Sequence, residues 1–210
     1  MNVKNYDLDY FIKKGLKNGK KSSLIKQKDV YVSNEEKVEK ATSYKKNIFS
    51  SPTVINLEIT EACNVKCLHC YNPWRDEHAG KFSLDESRMD YLINEFTKNK
   101  VFHVILSGGE PLAKFKLLCY AIKKLVKNNI SISLNSNLML ATNEKMKKLR
   151  QLGLDHVLTS WFSYYPNETD KITTYKDSHQ KIIEGIKTTV KNNIRVSANT
   201  ICTQHNKGTI

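Results

Sequence analysis

No stretch of this sequence is long and apolar enough to cross a membrane, since a spanning helix needs about 20 consecutive apolar residues. The amino-terminal residues MNVKNYDLDYF also lack the hydrophobic region of a signal peptide. Hydrophobic residues make up 40% and charged residues 26% of the chain, which is ordinary for a globular protein. We therefore expect a cytoplasmic protein that makes no membrane contact and keeps its cysteines reduced.

Acidic residues are scarce beside basic ones, at 21 against 34, and the net charge is +13. Such an excess could serve nucleic acid, an acidic peptide substrate or an acidic electron donor. The lysines are not interleaved with aromatic residues as they are on nucleic-acid-binding surfaces. We therefore favour lysines spread over solvated faces and expect no nucleic acid partner.

Two common binding motifs are also missing. The sequence has no glycine-rich phosphate loop, which argues against a nucleotide-dependent transferase on an open α/β sheet. It also lacks the paired C-x2-C motifs of a zinc ribbon. Three of its five cysteines instead form one C-x3-C-x2-C group: Cys63, Cys67 and Cys70.

The cysteine group directly follows an apolar stretch at residues 54–60, which we interpret as a buried strand. Three thiolates on one loop suit a soft metal or an iron–sulfur cluster, and the spacing favours a cluster. Three ligands would leave one iron of a [4Fe–4S] cube open to another molecule. A non-catalytic zinc-binding or peptide-binding module, built on these cysteines and a histidine, is the alternative.

Apolar strand patterns alternate with helical patterns from residue 54 onward, which predicts a parallel α/β sheet with right-handed crossovers. Ser83, with Glu86 three residues later, is the expected N-cap of the first helix, and Thr142 that of the third. The predicted strands are residues 54–60, 101–106, 130–134, 157–160 and 194–201. The predicted helices are residues 84–98, 112–128, 143–152 and 179–192.

Polar or cysteine-bearing segments follow all five predicted strands, where a parallel sheet places its sites. We therefore expect one shared pocket at the carboxyl ends of the strands. Residues 1–51 carry twelve lysines and six acidic residues, and we interpret them as a basic N-terminal extension. Residues 52–210 form the predicted core domain.

The cysteine spacing after the first strand, followed by Ser-Gly-Gly-Glu-Pro at residues 107–111 after the second, resembles the radical S-adenosylmethionine (radical SAM) enzymes. The resemblance implies an α/β fold, a partial parallel (β/α) TIM-type barrel of six strand–helix units. This sequence supplies about five of them, so we expect a core that is incomplete at its carboxyl terminus. Loss of the sixth unit would expose the last strand and slow or abolish turnover, giving an inactive fragment as a further alternative.

The resemblance implies a [4Fe–4S] cluster held by Cys63, Cys67 and Cys70, whose open iron binds the methionine end of S-adenosyl-L-methionine. His69 would flank the adenine, although simple loop packing explains it equally well. Leu138 stands where the family has a glycine, which predicts a different backbone there. The expected contacts to S-adenosylmethionine are His69, Gly108, Gly109, Glu110, Pro111, Ser136, Asn137 and Ser160.

Residues 159–173, TSWFSYYPNETDKIT, resemble a segment of the peptide- and protein-maturing SPASM-type branch, with Thr169 where relatives have histidine. This branch cleaves S-adenosylmethionine reductively to a 5′-deoxyadenosyl radical and modifies a peptide or protein. The implied partners are that substrate and an acidic electron donor such as flavodoxin or ferredoxin. Asn199 and Asn206 are weaker candidate contacts, and Cys119 and Cys202 are expected to be structural.

Overall fold

The structure is a computed structural model that describes residues 51–71 and 82–209. The predicted basic extension, residues 1–51, therefore lies outside the described residues except for Ser51. Within the described part of the chain, no helix combines the length and apolar content that crossing a bilayer requires.

Five parallel strands form one sheet in sequence order, each paired with its neighbour along the chain. This arrangement confirms the predicted α/β fold with consecutive strand–helix units of a TIM-type barrel. Each end of an observed strand lies within two residues of the predicted end. They are β1 (Val54–Glu58), β2 (His103–Ser107), β3 (Ser131–Asn135), β4 (His156–Ser160) and β5 (Arg195–Asn199).

Helices connect the successive strands and cover one face of the sheet. Thr142 caps its helix as predicted, because its side chain accepts a hydrogen bond from the backbone N–H of Lys145 at 3.3 Å. The helices are α1 (Glu86–Lys98), α2 (Phe115–Lys127), α3 (Asn143–Gln151), α4 (Pro166–Thr173) and α5 (Ser178–Lys191).

The predicted cap of the first helix was wrong. Asp85 is the N-cap of α1, and its carboxylate accepts a hydrogen bond from the Arg88 backbone N–H at 2.7 Å. Ser83 instead lies 2.7 Å, oxygen to oxygen, from the hydroxyl of Thr60 and forms an isolated bridge with it. Serine and aspartate are both favourable N-cap residues. The contact with Thr60 takes Ser83 out of the helix, which leaves Asp85 as the cap.

The helix α4 was also missed, since residues 161–178 were predicted to be a loop. Pro166 begins this helix, where the fixed φ of proline is favourable. A turn of 3-10 helix, Pro111–Lys114, precedes α2, so the single predicted helix 112–128 divides at Phe115.

The helix-facing side of the sheet forms the hydrophobic core. Alternate residues of the central strands point into it and are fully or almost fully buried. They pack against apolar residues of α1, α2 and α3 in one continuous cluster. The central strand residues in this cluster are Val104, Leu106, Ile132, Leu134 and Val157.

The opposite side of the sheet carries a row of polar residues beside Ile105 and Leu158, in contrast to the mainly branched apolar layers that fill a typical TIM barrel. The two ring nitrogens of His103 lie 3.0 Å from the Ser131 hydroxyl and 2.9 Å from the Ser133 hydroxyl. Nε2 of His156 lies 2.9 Å from the Ser197 hydroxyl. Burial, and then the neighbouring His156, lower the pKa of His103. We call this row of five residues the polar inner face.

Candidate functional site

A cavity of about 320 Å³ lies at the carboxyl ends of the strands, where the sequence predicted a shared pocket. Segments after all five strands contribute to its wall, and Thr173 and Ile182 close it from α4 and α5. The cavity brings together most of the residues that sequence reasoning singled out. These are Cys63, Cys67, His69, Cys70, Gly108, Gly109, Ser136, Asn137, Ser160 and Asn199.

Residues 61–71, which we call the cysteine loop, are attached to their surroundings by backbone hydrogen bonds. On one side Glu110 N–H donates to Ala62 C=O at 2.7 Å, next to the start of the loop. On the other side Leu68 N–H donates to Ile172 C=O in α4 at 2.8 Å. Within the loop, Cys70 N–H donates to Cys67 C=O at 3.1 Å. The cysteine loop is thus held by the turn after β2 on one side and by α4 on the other.

The two glycines after β2 allow this close approach of backbone segments. A Cβ on Gly109 would lie 2.4 Å from the carbonyl oxygens of both Glu61 and Ala62. A Cβ on Gly108 would lie 2.3 Å from the Thr60 oxygen, and its φ of 138° is one that other residues rarely adopt. Both glycines are therefore required by the packing of the cysteine loop, whatever they contact in the cavity.

Glu110 and Pro111 do not line the cavity, although the sequence placed them among the cofactor contacts. Pro111 is buried at the start of the 3-10 turn. The Glu110 side chain is completely buried, and one carboxylate oxygen accepts hydrogen bonds from Leu112 N–H at 2.8 Å and the Ser136 hydroxyl at 2.9 Å. The other oxygen accepts from Asn137 N–H at 2.8 Å. Glu110 thus connects the loops after β2 and β3.

Burial raises the pKa of the Glu110 carboxyl above its ordinary value. The three hydrogen bonds to the carboxylate, and the charge of Lys145, act in the opposite direction and limit the increase. Lys145 donates to the backbone oxygens of Leu112 and Leu140, which places its positive charge near this buried group.

The loop after β3 is fixed by its own side chains. The Asn137 amide oxygen accepts from Met139 N–H at 3.0 Å, and its Nδ2 donates to Oδ1 of Asn64 in the cysteine loop at 2.8 Å. Leu138 has a φ of 59°, in the left-handed region that favours glycine, while its side chain is fully buried in the core. A leucine therefore occupies a glycine-type backbone conformation here.

Two residues that sequence reasoning did not single out also line the cavity. Phe162 is buried, and its ring centroid lies 5.0 Å from that of His69. Thr159 is buried, and no described residue offers its hydroxyl a hydrogen-bond partner. Thr159 and Phe162 flank Ser160 and Trp161 at the end of β4, and their position after a strand was the available signal.

The residues that match the peptide-branch segment mostly build α4 and its junction with α5. The Asp170 carboxylate accepts from Asp177 N–H at 2.7 Å, the Ser178 hydroxyl at 2.8 Å and His179 N–H at 3.1 Å. Burial raises the pKa of Asp170, but these hydrogen bonds outweigh it and the pKa is lowered. The Thr169 hydroxyl donates to Ser163 C=O at 3.4 Å.

Three other residues named in the sequence analysis lie away from the cavity: the candidate contact Asn206, and Cys202 and Cys119, which were expected to be structural. Asn206 is buried, and its Nδ2 donates to Phe162 C=O at 2.6 Å, so it holds the segment after β5. Cys202 is exposed beyond the end of β5. Cys119 is partly buried against the core, and burial raises the pKa of its thiol.

The donor set of the cysteine loop fits an iron–sulfur cluster better than a single metal ion. Cys63, Cys67 and Cys70 are partly buried and line one cavity, which offers three soft sulfur ligands. Among residues 51–71 and 82–209, no three His, Cys, Asp or Glu side chains are grouped to hold one metal ion.

A parallel α/β barrel sheet with a three-cysteine loop at the carboxyl ends of its strands defines the class of protein: a TIM-type barrel with a cysteine-rich site. The chain belongs to the radical SAM superfamily, whose family model matches residues 57–206.

Two kinds of relative, a peptide cyclase and a probable nucleotide cyclase, resemble the chain at similar sequence identity. It is 30% identical over 162 residues to the PqqA peptide cyclase of Bradyrhizobium diazoefficiens, covering 75% of this chain and 41% of the relative. It is 31% identical over 134 residues to a probable GTP 3′,8-cyclase of Methanocaldococcus jannaschii, covering 63% of this chain and 44% of the relative. The chain thus spans less than half the length of these relatives.

Solved structures support the fold. The structure of Streptococcus suis SuiB bound to S-adenosylmethionine matches with a TM-score of 0.64 at 17% identity, covering 92% of this chain and 45% of SuiB. SuiB bound to the precursor peptide SuiA matches with a TM-score of 0.63 at 17% identity, over 92% and 46% of the two chains.

Proposed function

We propose that this chain carries the cofactor-binding core of a radical SAM enzyme that modifies a peptide or protein. The observation that supports this most directly is that the cysteines of the loop after β1 and the glycines after β2 line one cavity. When bound, the [4Fe–4S] cluster and S-adenosylmethionine supply one-electron cleavage of the cofactor to a 5′-deoxyadenosyl radical.

In this proposal each part of the cavity has a separate task. Cys63, Cys67 and Cys70 hold the cluster as thiolates. Gly108 and Gly109 line the cavity and present backbone to the methionine end of the cofactor. Ser136, Asn137 and Ser160 provide polar groups from β3 and β4 for the rest of it. His69 and Phe162 provide an aromatic wall that packs on the adenine and excludes water.

We favour a peptide substrate over a nucleotide. One relative is a peptide cyclase, and SuiB was solved with a precursor peptide. A GTP 3′,8-cyclase relative points to a nucleotide instead. Triphosphate binding normally uses Arg or Lys side chains, and among the described residues that line the cavity there is no Arg or Lys.

The net charge of +13 supports an acidic electron donor such as flavodoxin or ferredoxin. Electrostatic attraction speeds association at low salt, so cluster reduction by such a donor should slow as salt is added.

Anaerobic reconstitution with iron and sulfide tests the core of the proposal. We expect a brown protein with an electron paramagnetic resonance signal after reduction, and 5′-deoxyadenosine when S-adenosylmethionine is added. Replacing Cys63, Cys67 or Cys70 with Ala should abolish cluster binding, while Cys119→Ala and Cys202→Ala serve as matched controls that retain it. Binding of one zinc ion without cluster formation would contradict the proposal.

The substrate class is tested by transfer of label. If a short peptide is encoded beside the gene, its deuterated form should pass deuterium into 5′-deoxyadenosine, whereas deuterated GTP should not. Transfer from GTP alone would replace the peptide assignment with a nucleotide one.

A further inference from the structure

Asn64 follows the first cysteine of the loop, and its side-chain oxygen faces the sulfur of that cysteine. The Cys63 thiol donates a long hydrogen bond to this oxygen, with 4.0 Å between Sγ and Oδ1. Sulfur ligands of iron–sulfur clusters are commonly stabilised by N–H donors, which favour added negative charge. When Cys63 binds a cluster as a thiolate, the donated proton is gone, and an acceptor oxygen with a partial negative charge faces the sulfur.

The hydrogen-bond network determines this orientation of the amide. Asn137 Oδ1 accepts from Met139 N–H at 3.0 Å, so Asn137 must present its Nδ2 group to Asn64. That Nδ2 donates to Asn64 Oδ1 at 2.8 Å, which requires an oxygen at this position. The Asn64 amide therefore cannot exchange its oxygen and nitrogen without losing the bond to Asn137.

Asn137 is itself anchored through the buried carboxylate of Glu110. Its backbone N–H donates to one oxygen of Glu110 at 2.8 Å, and the other oxygen accepts from the Ser136 hydroxyl and Leu112 N–H. Three loops, after β1, β2 and β3, are thus joined in one line that runs from Glu110 through Asn137 and Asn64 to Cys63.

We propose that Asn64, held by Asn137, is a positioning residue whose side-chain oxygen lowers the reduction potential of the cluster bound at Cys63. Reduction adds one electron to the cluster, and part of that negative charge resides on the cysteine sulfurs. A carbonyl oxygen beside one of these sulfurs opposes the added charge. A low potential is useful because the sulfonium of S-adenosylmethionine is difficult to reduce. This inference rests on the proposed function.

The test is a redox titration of the reconstituted cluster without S-adenosylmethionine, followed by electron paramagnetic resonance. Asn64→Ala removes the oxygen and should raise the midpoint potential. Asn64→Asp keeps an acceptor for Asn137, adds negative charge and should lower it. Loop disruption would shift both variants in the same direction, so opposite shifts distinguish the electrostatic role from a structural one.

Two further variants complete the design. Asn137→Ala removes the donor that orients Asn64 and should shift the potential upward, as Asn64→Ala does. Asn99→Ala changes an exposed asparagine at the end of α1, outside the cavity, and should leave the potential at the wild-type value. The iron content of each variant, compared with wild type, verifies that equal amounts of cluster are measured.

The outcomes separate this inference from the proposed function. A wild-type chain that takes up no cluster overturns both. A wild-type cluster whose potential is unchanged by Asn64→Ala, or shifts the same way in Asn64→Ala and Asn64→Asp, overturns the role of Asn64 alone.

Discussion

At the scale of single residues, Glu110 shows how a motif residue can serve a site without lining it. Its buried carboxylate joins the loops after β2 and β3 through three hydrogen bonds. The motif resemblance pointed to the correct segment, because a Gly-Gly-Glu-Pro turn after a strand is visible in sequence. The inward direction of the Glu110 side chain depends on Ser136 and Asn137, which are distant in sequence, and could not be predicted.

Replacement of Glu110 should therefore reduce stability as well as cofactor binding. Glu110→Ala leaves three buried donors without an acceptor, and we expect a loss of about 3 to 5 kcal/mol in the free energy of unfolding. Glu110→Gln keeps one acceptor oxygen and should cost less. Urea unfolding measures both changes. Equal stability of Glu110→Ala and the wild type would show that the three hydrogen bonds contribute nothing.

The glycines permit a second test at this scale. Gly109→Ala would place a methyl group 2.4 Å from two backbone oxygens at the start of the cysteine loop, so the loop must move. We expect strongly reduced iron content after reconstitution. Gly208→Ala is the matched control, since a Cβ there meets no atom within 4 Å. Wild-type iron content in Gly109→Ala would mean that the loop position is not important for cluster binding.

At the scale of secondary-structure elements, a carboxylate within α4 joins that helix to the start of α5. Asp170 lies within α4 and accepts from two backbone N–H groups and one hydroxyl at the start of α5. Alternating strand and helix patterns predicted four of the five helices in the described part of the chain. The helix α4 was missed because its eight residues carry a weak apolar pattern and begin with a proline.

Asp170→Asn should lower the free energy of unfolding by about 1 kcal/mol at pH 7, as for loss of a helix N-cap. The wild-type pKa is lowered in the folded state, so this contribution is present above the ordinary carboxyl pKa. It is lost as the pH falls through the lowered value, and the difference between variant and wild type should disappear in acid.

Urea unfolding at pH 7 and near pH 3 measures this dependence. Asp155→Asn is a suitable control, because it removes only an exposed ion pair to Arg195 and should cost less than about 0.5 kcal/mol. A cost of Asp170→Asn that is the same at both pH values would contradict the assignment.

At the scale of the whole molecule, the two faces of the sheet differ in polarity, and the strand β5 at one edge is exposed. The parallel sheet and the position of the cavity could be predicted, because strand–helix alternation and polar strand ends are local signals, and the family resemblance implied the barrel order. The polar inner face could not, since His103 was interpreted as part of an ordinary apolar strand and His156 lay outside the predicted strand 157–160. Their serine partners come from neighbouring strands, and only the parallel register brings them together.

The edge strand β5 provides a prediction at this scale. It pairs with β4 on one side, and four of its five residues are exposed. Its amides should exchange with solvent at least roughly tenfold faster than those of the central strands β2 and β3. Hydrogen exchange read by mass spectrometry measures this. Equal protection of β5 and β2 would mean that β5 is covered in solution.

The polar inner face also affects which substitutions the sequence can accept during evolution. Since only the helix-facing side of the sheet carries apolar packing, substitutions along β2, β3 and β4 should be tolerated with a period of two. Polar exchanges at positions 103, 131, 133 and 156 should be accepted as long as a donor meets an acceptor. Changes at the alternate, core-facing positions of these strands should be removed by selection, because they open voids in the core.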